Sequence, residues 1–196
     1  MKRGFFMVMV WCAAGSAFAQ APVGQQISLA TSLQRGYASV KQNLTEEIAK
    51  MPEENFSFKP GPAPELRNFG MLFGHVANAQ FGSCSAAVGQ PNPNQGHNLE
   101  TEATTKAALT KALADSFALC DQAFAALTDQ NAMEMVKQGQ NEIARSALLA
   151  GVVIHSNEMY GTASVYLRAK GMVPPSTERQ TQMMRGGGAG RGNPGR

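Results

Sequence analysis

The stretch LLAGVVIHSNEMYGTASVYLRAKG, residues 148–171, decides the fold class because its inward-facing residues recur at helical spacing. Steps of three and four separate the members of this stripe, which are Leu148, Val152, His155, Met159, Thr162 and Tyr166. Such spacing places side chains on one face of an α-helix. Gly171, followed by Pro174 and Pro175, is a stop signal, so the pattern predicts a long helix over about residues 142–170.

Two segments nearer the N-terminus show the same helical periodicity. In the first, apolar residues step by three and four over residues 29–48, and Pro52 ends the pattern. The second begins at Asn68, a residue type that caps helix N-termini, and extends to about Val88. Between the two helices, the prolines of residues 53–67 predict a loop with extended pieces.

A further helical stripe lies between these segments and the last helix, and it opens at Thr104 or Thr105. Its apolar positions are Leu109, Leu113, Phe117, Cys120, Phe124 and Leu127. The polar residues 89–104 before it predict a long connection, and residues 128–141 after it are ambiguous, with room for a short helical turn. No alternating pattern of useful length predicts a β-strand. We therefore expect an all-α fold, a four-helix bundle, in which sites are built from side chains on facing helices.

The composition is that of a folded chain with little charge imbalance. Of the 196 residues, 43% are hydrophobic and 16% are charged, which is enough apolar material for a core. Five of the 17 Lys and Arg residues lie near the two ends, so residues 20–184 carry 12 basic and 14 acidic groups. This balance argues against a nucleic-acid-binding surface.

The first 19 residues have the pattern of a secretory signal peptide. Two basic residues, Lys2 and Arg3, precede a short apolar run. The run leads to Ala-Phe-Ala at residues 17–19, which matches the small-x-small pattern of a signal-peptidase site. The run is too short for a membrane anchor. We therefore expect an exported protein, periplasmic or secreted, with no anchor after cleavage.

The rest of the chain divides into three predicted parts. Residues 20–28 form an N-terminal linker, and residues 29–176 form the bundle. Residues 177–196 form a tail rich in glycine and arginine, in which six of the last twelve residues are glycine. Such a composition cannot bury enough apolar surface to fold, so the tail is predicted to be disordered.

Two cysteines, Cys84 and Cys120, remain after the predicted cleavage. Each continues the apolar stripe of its own predicted helix, so both are expected to face a shared core. An even pair in an oxidising compartment favours a disulfide bond. Two buried free thiols are the alternative. A reactive thiol is disfavoured, because apolar surroundings raise the pKa of a thiol.

The chain has three histidines, and two of them lie on predicted inward faces. His75 belongs to the second predicted helix and His155 to the last, whereas His97 lies in the polar connection and is expected to be exposed. Two inward imidazoles on facing helices can form half of a metal site. Hydrogen-bonded core histidines with a structural role are the alternative.

Several short motifs in this order resemble those of the DinB-like (YfiT-related) family. They are Phe56-Ser57-Phe58-Lys59-Pro60, His75-Val76-Ala77-Asn78-Ala79, His155-Ser156-Asn157-Glu158-Met159-Tyr160-Gly161 and Tyr166-Leu167-Arg168 with Gly171 and Pro174-Pro175. The resemblance covers about residues 29–176. It implies a four-helix bundle with a three-histidine divalent-metal site, in which the second helix supplies one histidine and the last helix supplies two. The family includes metal-dependent thiol transferases and hydrolase-like proteins.

The match to that metal site is incomplete. His75 and His155 correspond to the first two histidines, and Met159 stands at the third position. One hypothesis is a degenerate site for zinc or nickel with Glu158 as third ligand, because two imidazoles and one carboxylate form hydrolytic zinc sites. A second hypothesis is a softer set of the two histidines and Met159, which suits Cu(I). The third is that Met159 fills space in a bundle that binds no metal.

Three functions are consistent with these residues. The first is metal-dependent transferase or hydrolase activity on a small-molecule or thiol substrate, with the metal held by His75 and His155. The second is a noncatalytic bundle that binds a small ligand or an envelope partner. The third is periplasmic copper binding. No nucleic-acid partner is expected, and the sequence contains no phosphate-binding loop, nucleophile elbow or Cys-x-x-Cys motif.

The signal-peptide hypothesis predicts that the exported protein contains no tryptophan. Trp11 is the single tryptophan of the chain and lies within residues 1–19. After expression with its leader in a bacterial host, the purified protein should have the intact mass of a chain that begins at Gln20. It should show no tryptophan fluorescence. An envelope-associated protein of unprocessed mass would contradict this prediction.

Overall fold

The computed structural model describes residue 24 and residues 26–188. The predicted signal peptide, most of the predicted linker and residues 189–196 of the predicted tail lie outside these ranges. In chain order the elements are α1 (Leu29–Lys50), a 3-10 turn (Glu53–Asn55), α2 (Phe69–Val88), α3 (Leu99–Glu102), α4 (Lys106–Ala125), β1 (Met135–Gln138), β2 (Asn141–Ala144), α5 (Arg145–Ala169) and α6 (Pro175–Gly188). The four long helices are α1, α2, α4 and α5, so the prediction of an all-α bundle is confirmed.

Local signals place the ends of these helices close to the predicted residues. The side chain of Asn68 accepts a hydrogen bond from the Met71 N–H at 2.9 Å and caps α2. Thr105 caps α4 in the same way through the Ala108 N–H at 3.1 Å. After α5, Gly171 adopts φ 74°, a left-handed conformation that glycine takes without steric cost.

The long helices bury a single hydrophobic core. Its largest fully buried apolar side chains include Leu44, Ile48, Phe69, Phe73, Leu109, Leu113, Leu149 and Leu167. The rings of Tyr37 in α1 and Phe124 in α4 stack with their centroids 4.1 Å apart. Within residues 26–188 we find no helix that has both the length and the apolar character needed to cross a bilayer.

The ambiguous segment before α5 contains a β-hairpin, so the expectation of no β-strand is wrong. The strands β1 and β2 pair antiparallel, with Val136 opposite Ile143 and Gly139 at φ 62° in the turn. Each strand has four residues, which is too short to produce a recognisable alternation. As a consequence α5 begins at Arg145, three residues later than predicted.

Residues 177–188 of the tail that was predicted to be disordered belong to the helix α6, whereas residues 189–196 lie outside the described residues. Two ion pairs connect this helix to α1: Lys50 pairs with Glu178, and Arg179 pairs with Glu46. These contacts join residues far apart in the chain, so the local composition of the tail does not reveal them. The predicted connection at residues 89–104 likewise contains a short helix, α3.

Cys84 in α2 and Cys120 in α4 lie in the core at disulfide-bonding distance, in agreement with the predicted pair. Their Cα atoms are 5.0 Å apart, within the range that a disulfide spans, and both residues are fully buried. The bond therefore joins two of the four long helices near the centre of the bundle.

A buried carboxyl lies between α1 and α5. The Ser164 hydroxyl donates a hydrogen bond to Glu47 Oε1 at 2.8 Å, whereas Glu47 Oε2 is buried without a hydrogen-bond partner. Burial raises the pKa of Glu47 from its ordinary value of 4.5 to about 8, although the Ser164 hydrogen bond and the Arg168 charge act in the opposite direction. The protonated form of Glu47 is thus the stable one in the folded protein at neutral pH.

The disulfide predicts a redox-dependent stability. Denatured, unreduced protein should contain no titratable thiol from Cys84 or Cys120. Reduction should lower the free energy of unfolding by about 3–4 kcal/mol in the chain-entropy model, because the bond closes a loop of 36 residues. Denaturant unfolding with and without reductant measures this difference. A Cys84→Ala/Cys120→Ala double variant should not respond to reductant, and two free thiols per chain would refute the pairing.

The raised pKa of Glu47 predicts that the free energy of unfolding decreases with increasing pH. Its folded-state pKa lies above its unfolded-state pKa, so the stabilisation is complete below pH 4.5 and is lost as the pH rises through about 8. One pKa unit corresponds to about 1.4 kcal/mol, so the loss should amount to a few kcal/mol. Denaturant unfolding across this pH range should show the decrease in wild type and not in Glu47→Gln. The exposed Glu54→Gln variant should follow wild type, and parallel curves for all three proteins would contradict this assignment.

Candidate metal centre

Helices α2 and α5 bring His75 and His155 together. The Nε2 atoms of the two imidazoles are 3.1 Å apart, and the ring centroids are 4.9 Å apart. The residues are separated by 80 positions in sequence, and both side chains are half-buried. The two histidines singled out in the sequence thus form one site between facing helices.

The short helix α3 lies against α2 directly beside His75. A Cβ added to Gly74 would lie 2.5 Å from the carbonyl oxygen of Leu99, so only glycine permits this approach. Asn98 caps α3, since its side chain accepts a hydrogen bond from the Glu100 N–H at 3.1 Å. The tight contact and the cap together place Glu100 next to the imidazole of His75.

Glu100 fixes the orientation of the His75 ring. Its Oε1 accepts a hydrogen bond from His75 Nδ1–H at 2.6 Å, and its Oε2 accepts one from Arg67 Nε–H at 2.7 Å. Burial raises the pKa of Glu100, but the hydrogen bonds from Arg67 and His75 outweigh this effect and hold the pKa below its ordinary value. A carboxylate can only accept, so the proton of neutral His75 resides on Nδ1 and the Nε2 lone pair faces His155.

Sequence reasoning did not identify Glu100 as part of the site. The residue lies in the connection that was predicted to be irregular, 25 positions after His75. The only local signal is Asn98, a capping residue type, followed after one position by Glu100. That pattern indicates a helix start and carries no information about the histidine that it faces.

The candidate third ligands are placed differently from one another. Met159 lies one helical turn after His155 and is 8% exposed, whereas Glu158 is exposed on the surface of α5. Within residues 26–188, no group of three His, Cys, Asp or Glu side chains is arranged to hold a metal ion. The remaining histidine, His97, is exposed as expected and hydrogen-bonds to Glu102 at 2.9 Å.

The distance between the two Nε2 atoms fits a shared metal ion. Two imidazole nitrogens at about 2.05 Å from one metal, with a bond angle of about 90–110°, lie about 2.9–3.4 Å apart. The observed 3.1 Å falls within this interval. Neutral imidazoles are good ligands for zinc and nickel, so the donor type fits as well as the spacing.

The same distance also fits a direct N–H···N hydrogen bond. In that arrangement His155 donates from Nε2, because the proton of His75 is on the nitrogen that faces Glu100. Burial lowers the pKa of His155, and the neighbouring His75 lowers it further, so the neutral imidazole is favoured. The neutral ring can carry its proton on either nitrogen, and binding a metal requires the proton to be on Nδ1.

Known proteins resemble this chain in sequence and in fold. The profile of the DinB superfamily matches residues 37–163. The crystal structure of a DinB-like protein from Bacillus cereus aligns with a TM-score of 0.59 at 14% identity, covering 73% of this chain and 93% of that one. The structure of a conserved protein from Enterococcus faecalis aligns with a TM-score of 0.58 at 16% identity, covering 74% and 98%.

No curated protein matches the sequence. Identities of 14% and 16% establish a common fold and carry no information about activity. The matched residues 37–163 include more than half of the chain and reach from α1 into α5. On this evidence the chain belongs to the DinB superfamily.

Proposed function

We propose that this chain is an exported DinB-like protein that binds a divalent transition metal, zinc or nickel, through His75 and His155. The metal would support transferase-type or hydrolase-type chemistry on a small-molecule or thiol substrate. The observation that carries the proposal is the 3.1 Å separation of the two Nε2 atoms, which fits one shared ion.

The surroundings of His75 support this proposal. Metal-bound histidines usually donate their second ring N–H to a carboxylate, which fixes the tautomer and makes the ring a stronger ligand. Glu100 accepts such a bond from His75 Nδ1, and Arg67 holds the carboxylate from its other side. The ring is therefore oriented and correctly protonated before any ion binds.

The chemistry of the site follows from its ligands. A bound ion would supply Lewis acidity, which activates a coordinated thiol or water toward an electrophile. His75 and His155 would hold the ion, and Glu100 would keep His75 in the binding tautomer. Two protein ligands leave other positions for substrate or water, as catalytic metal sites require. Met159, at the third position of the family pattern, fills buried space beside His155.

A noncatalytic bundle that binds a small ligand or an envelope partner is the second candidate. The observation in its favour is the absence of a third metal-binding side chain among residues 26–188. Periplasmic copper binding is the third candidate, favoured by the buried position of Met159 one turn from His155. Metal titration separates these possibilities.

The proposed site predicts specific effects of substitution on metal affinity. Zinc or nickel titrated into the purified, tag-free protein should bind with one ion per chain, as measured by calorimetry and elemental analysis. His75→Ala and His155→Ala should abolish binding, because each removes one of two ligands. Glu100→Gln should weaken binding by about 10-fold to 100-fold, because it removes the carboxylate behind His75.

The chain offers matched controls for these variants. Glu102→Gln changes the other carboxylate of α3, and His97→Ala removes the exposed histidine, so both should bind metal as wild type does. Thermal melting of each variant checks that the bundle is folded. Protein that binds no ion and melts unchanged in zinc, nickel and Cu(I) would exclude the metal proposal. A Met159→Leu variant that loses Cu(I) binding but still binds zinc and nickel would favour the copper site.

A further inference from the structure

A cavity of about 280 Å³ lies between α2, α5 and the β-hairpin. Its wall includes Ser83 of α2, Gln138 of β1 and Gly151 of α5. The Gln138 side chain donates a hydrogen bond to the Ser83 hydroxyl at 3.4 Å, which connects the hairpin to α2 within this wall. The hairpin, which the helical periodicity did not predict, thus completes a concave site on the bundle.

His155 belongs both to the imidazole pair and to the wall of this cavity. A molecule inside the cavity therefore lies against one of the two proposed metal ligands. Four further cavities, elsewhere on the described residues, include neither ring of the pair. This position makes the cavity a candidate for the substrate side of the site.

The wall of the cavity selects against charged ligands. It contains no Lys, Arg, Asp or Glu, and several of its members are apolar, among them Ile143, Leu148 and Val152. Its one ionisable member is His155, which belongs to the imidazole pair. A charged molecule would lose its hydration here without gaining an opposite charge, which is costly.

A buried polar network gives the wall one specific feature. Gln80 donates a hydrogen bond to the Ser156 hydroxyl at 3.2 Å, and Ser116 donates one to Gln80 Oε1 at 2.8 Å. Gln80 and Ser156 both line the cavity and are 1% and 0% exposed. Ser156 accepts from Gln80, and its hydroxyl donates no hydrogen bond that we find within residues 26–188, so its own hydrogen is available. An oxygen of a bound molecule would satisfy this donor.

We propose that this cavity is the substrate pocket and that it takes a small, neutral molecule with an apolar body and a carbonyl-type oxygen. The apolar walls would bury the body, and the network at Ser156 would bind the oxygen. The inference rests on the proposed function for the role of His155 beside the substrate. The cavity and its polarity exist independently of any metal.

Three probes of the same ring and different charge test the proposal: benzamide, benzoate and benzylammonium. Binding to the full purified chain is measured by calorimetry and protein-observed NMR, once after treatment with a chelator and once with zinc. In metal-free protein, benzamide should bind at one site, and the two ions should bind at least about tenfold more weakly. Benzoate or benzylammonium binding as tightly as benzamide to metal-free protein would overturn the assigned substrate class.

Two glycines of α5 provide a matched pair of variants. Gly151 lines the cavity and Gly161 does not, and a Cβ added at either position meets no atom within 4 Å. Gly151→Leu should fill the cavity and weaken benzamide binding at least about tenfold, whereas Gly161→Leu should bind as wild type does. Both variants should melt cooperatively, since both add a helix-favouring side chain at an exposed position.

The outcomes separate this inference from the proposed function. Gly151→Leu that keeps its zinc and loses benzamide supports both proposals. If the protein binds no metal but binds benzamide in a way that depends on Gly151, the substrate pocket is supported and the proposed metal function is excluded. Zinc binding without benzamide binding, or equal benzamide binding by Gly151→Leu and wild type, would overturn the pocket.

Discussion

The close contact between Gly74 and the backbone of Leu99 is the constraint on which the candidate site depends. Because no side chain separates α2 from α3 at this point, Glu100 reaches His75 Nδ1 at 2.6 Å. That hydrogen bond sets the proton of His75 on one nitrogen and exposes the lone pair of the other to His155. A larger residue at position 74 would move α3 outward and break the hydrogen bond between Glu100 and His75.

The two histidines of the pair have different surroundings, and this asymmetry shapes what the site can do. His75 donates a hydrogen bond to Glu100, which in turn accepts one from Arg67, so these neighbours set the orientation and the tautomer of the His75 ring. Within residues 26–188 His155 has no such carboxylate partner, and it forms part of the wall of an uncharged cavity. One ring is thus held in place by hydrogen bonds, and the other connects the imidazole pair to an uncharged cavity.

The bundle around the site is held by contacts of several kinds. The Cys84–Cys120 pair joins α2 to α4 in the core, and stacked Tyr37 and Phe124 join α1 to α4. Membership of the DinB superfamily accounts for this helical frame, and the structures from Bacillus cereus and Enterococcus faecalis share it at low identity. The frame does not specify an activity, because function resides in the side chains that a fold presents.

The sequence alone determined the features that arise from local interactions: four long helices, their caps at Asn68 and Thr105, and the inward direction of His75, His155, Cys84 and Cys120. Helical periodicity and a capping side chain both involve residues a few positions apart, so both can be recognised in the amino-acid sequence. Only the tertiary structure decided the hairpin, the docking of α6 and the role of Glu100. The hairpin pairs residues only three to nine positions apart, and its strands of four residues are too short to produce a recognisable alternation. The docking of α6 and the role of Glu100 depend on contacts between residues 25 to 128 positions apart, such as Glu100 with His75 and Glu178 with Lys50. Such contacts form when helices pack, and the periodicity of a sequence does not indicate which distant residues the packing brings together.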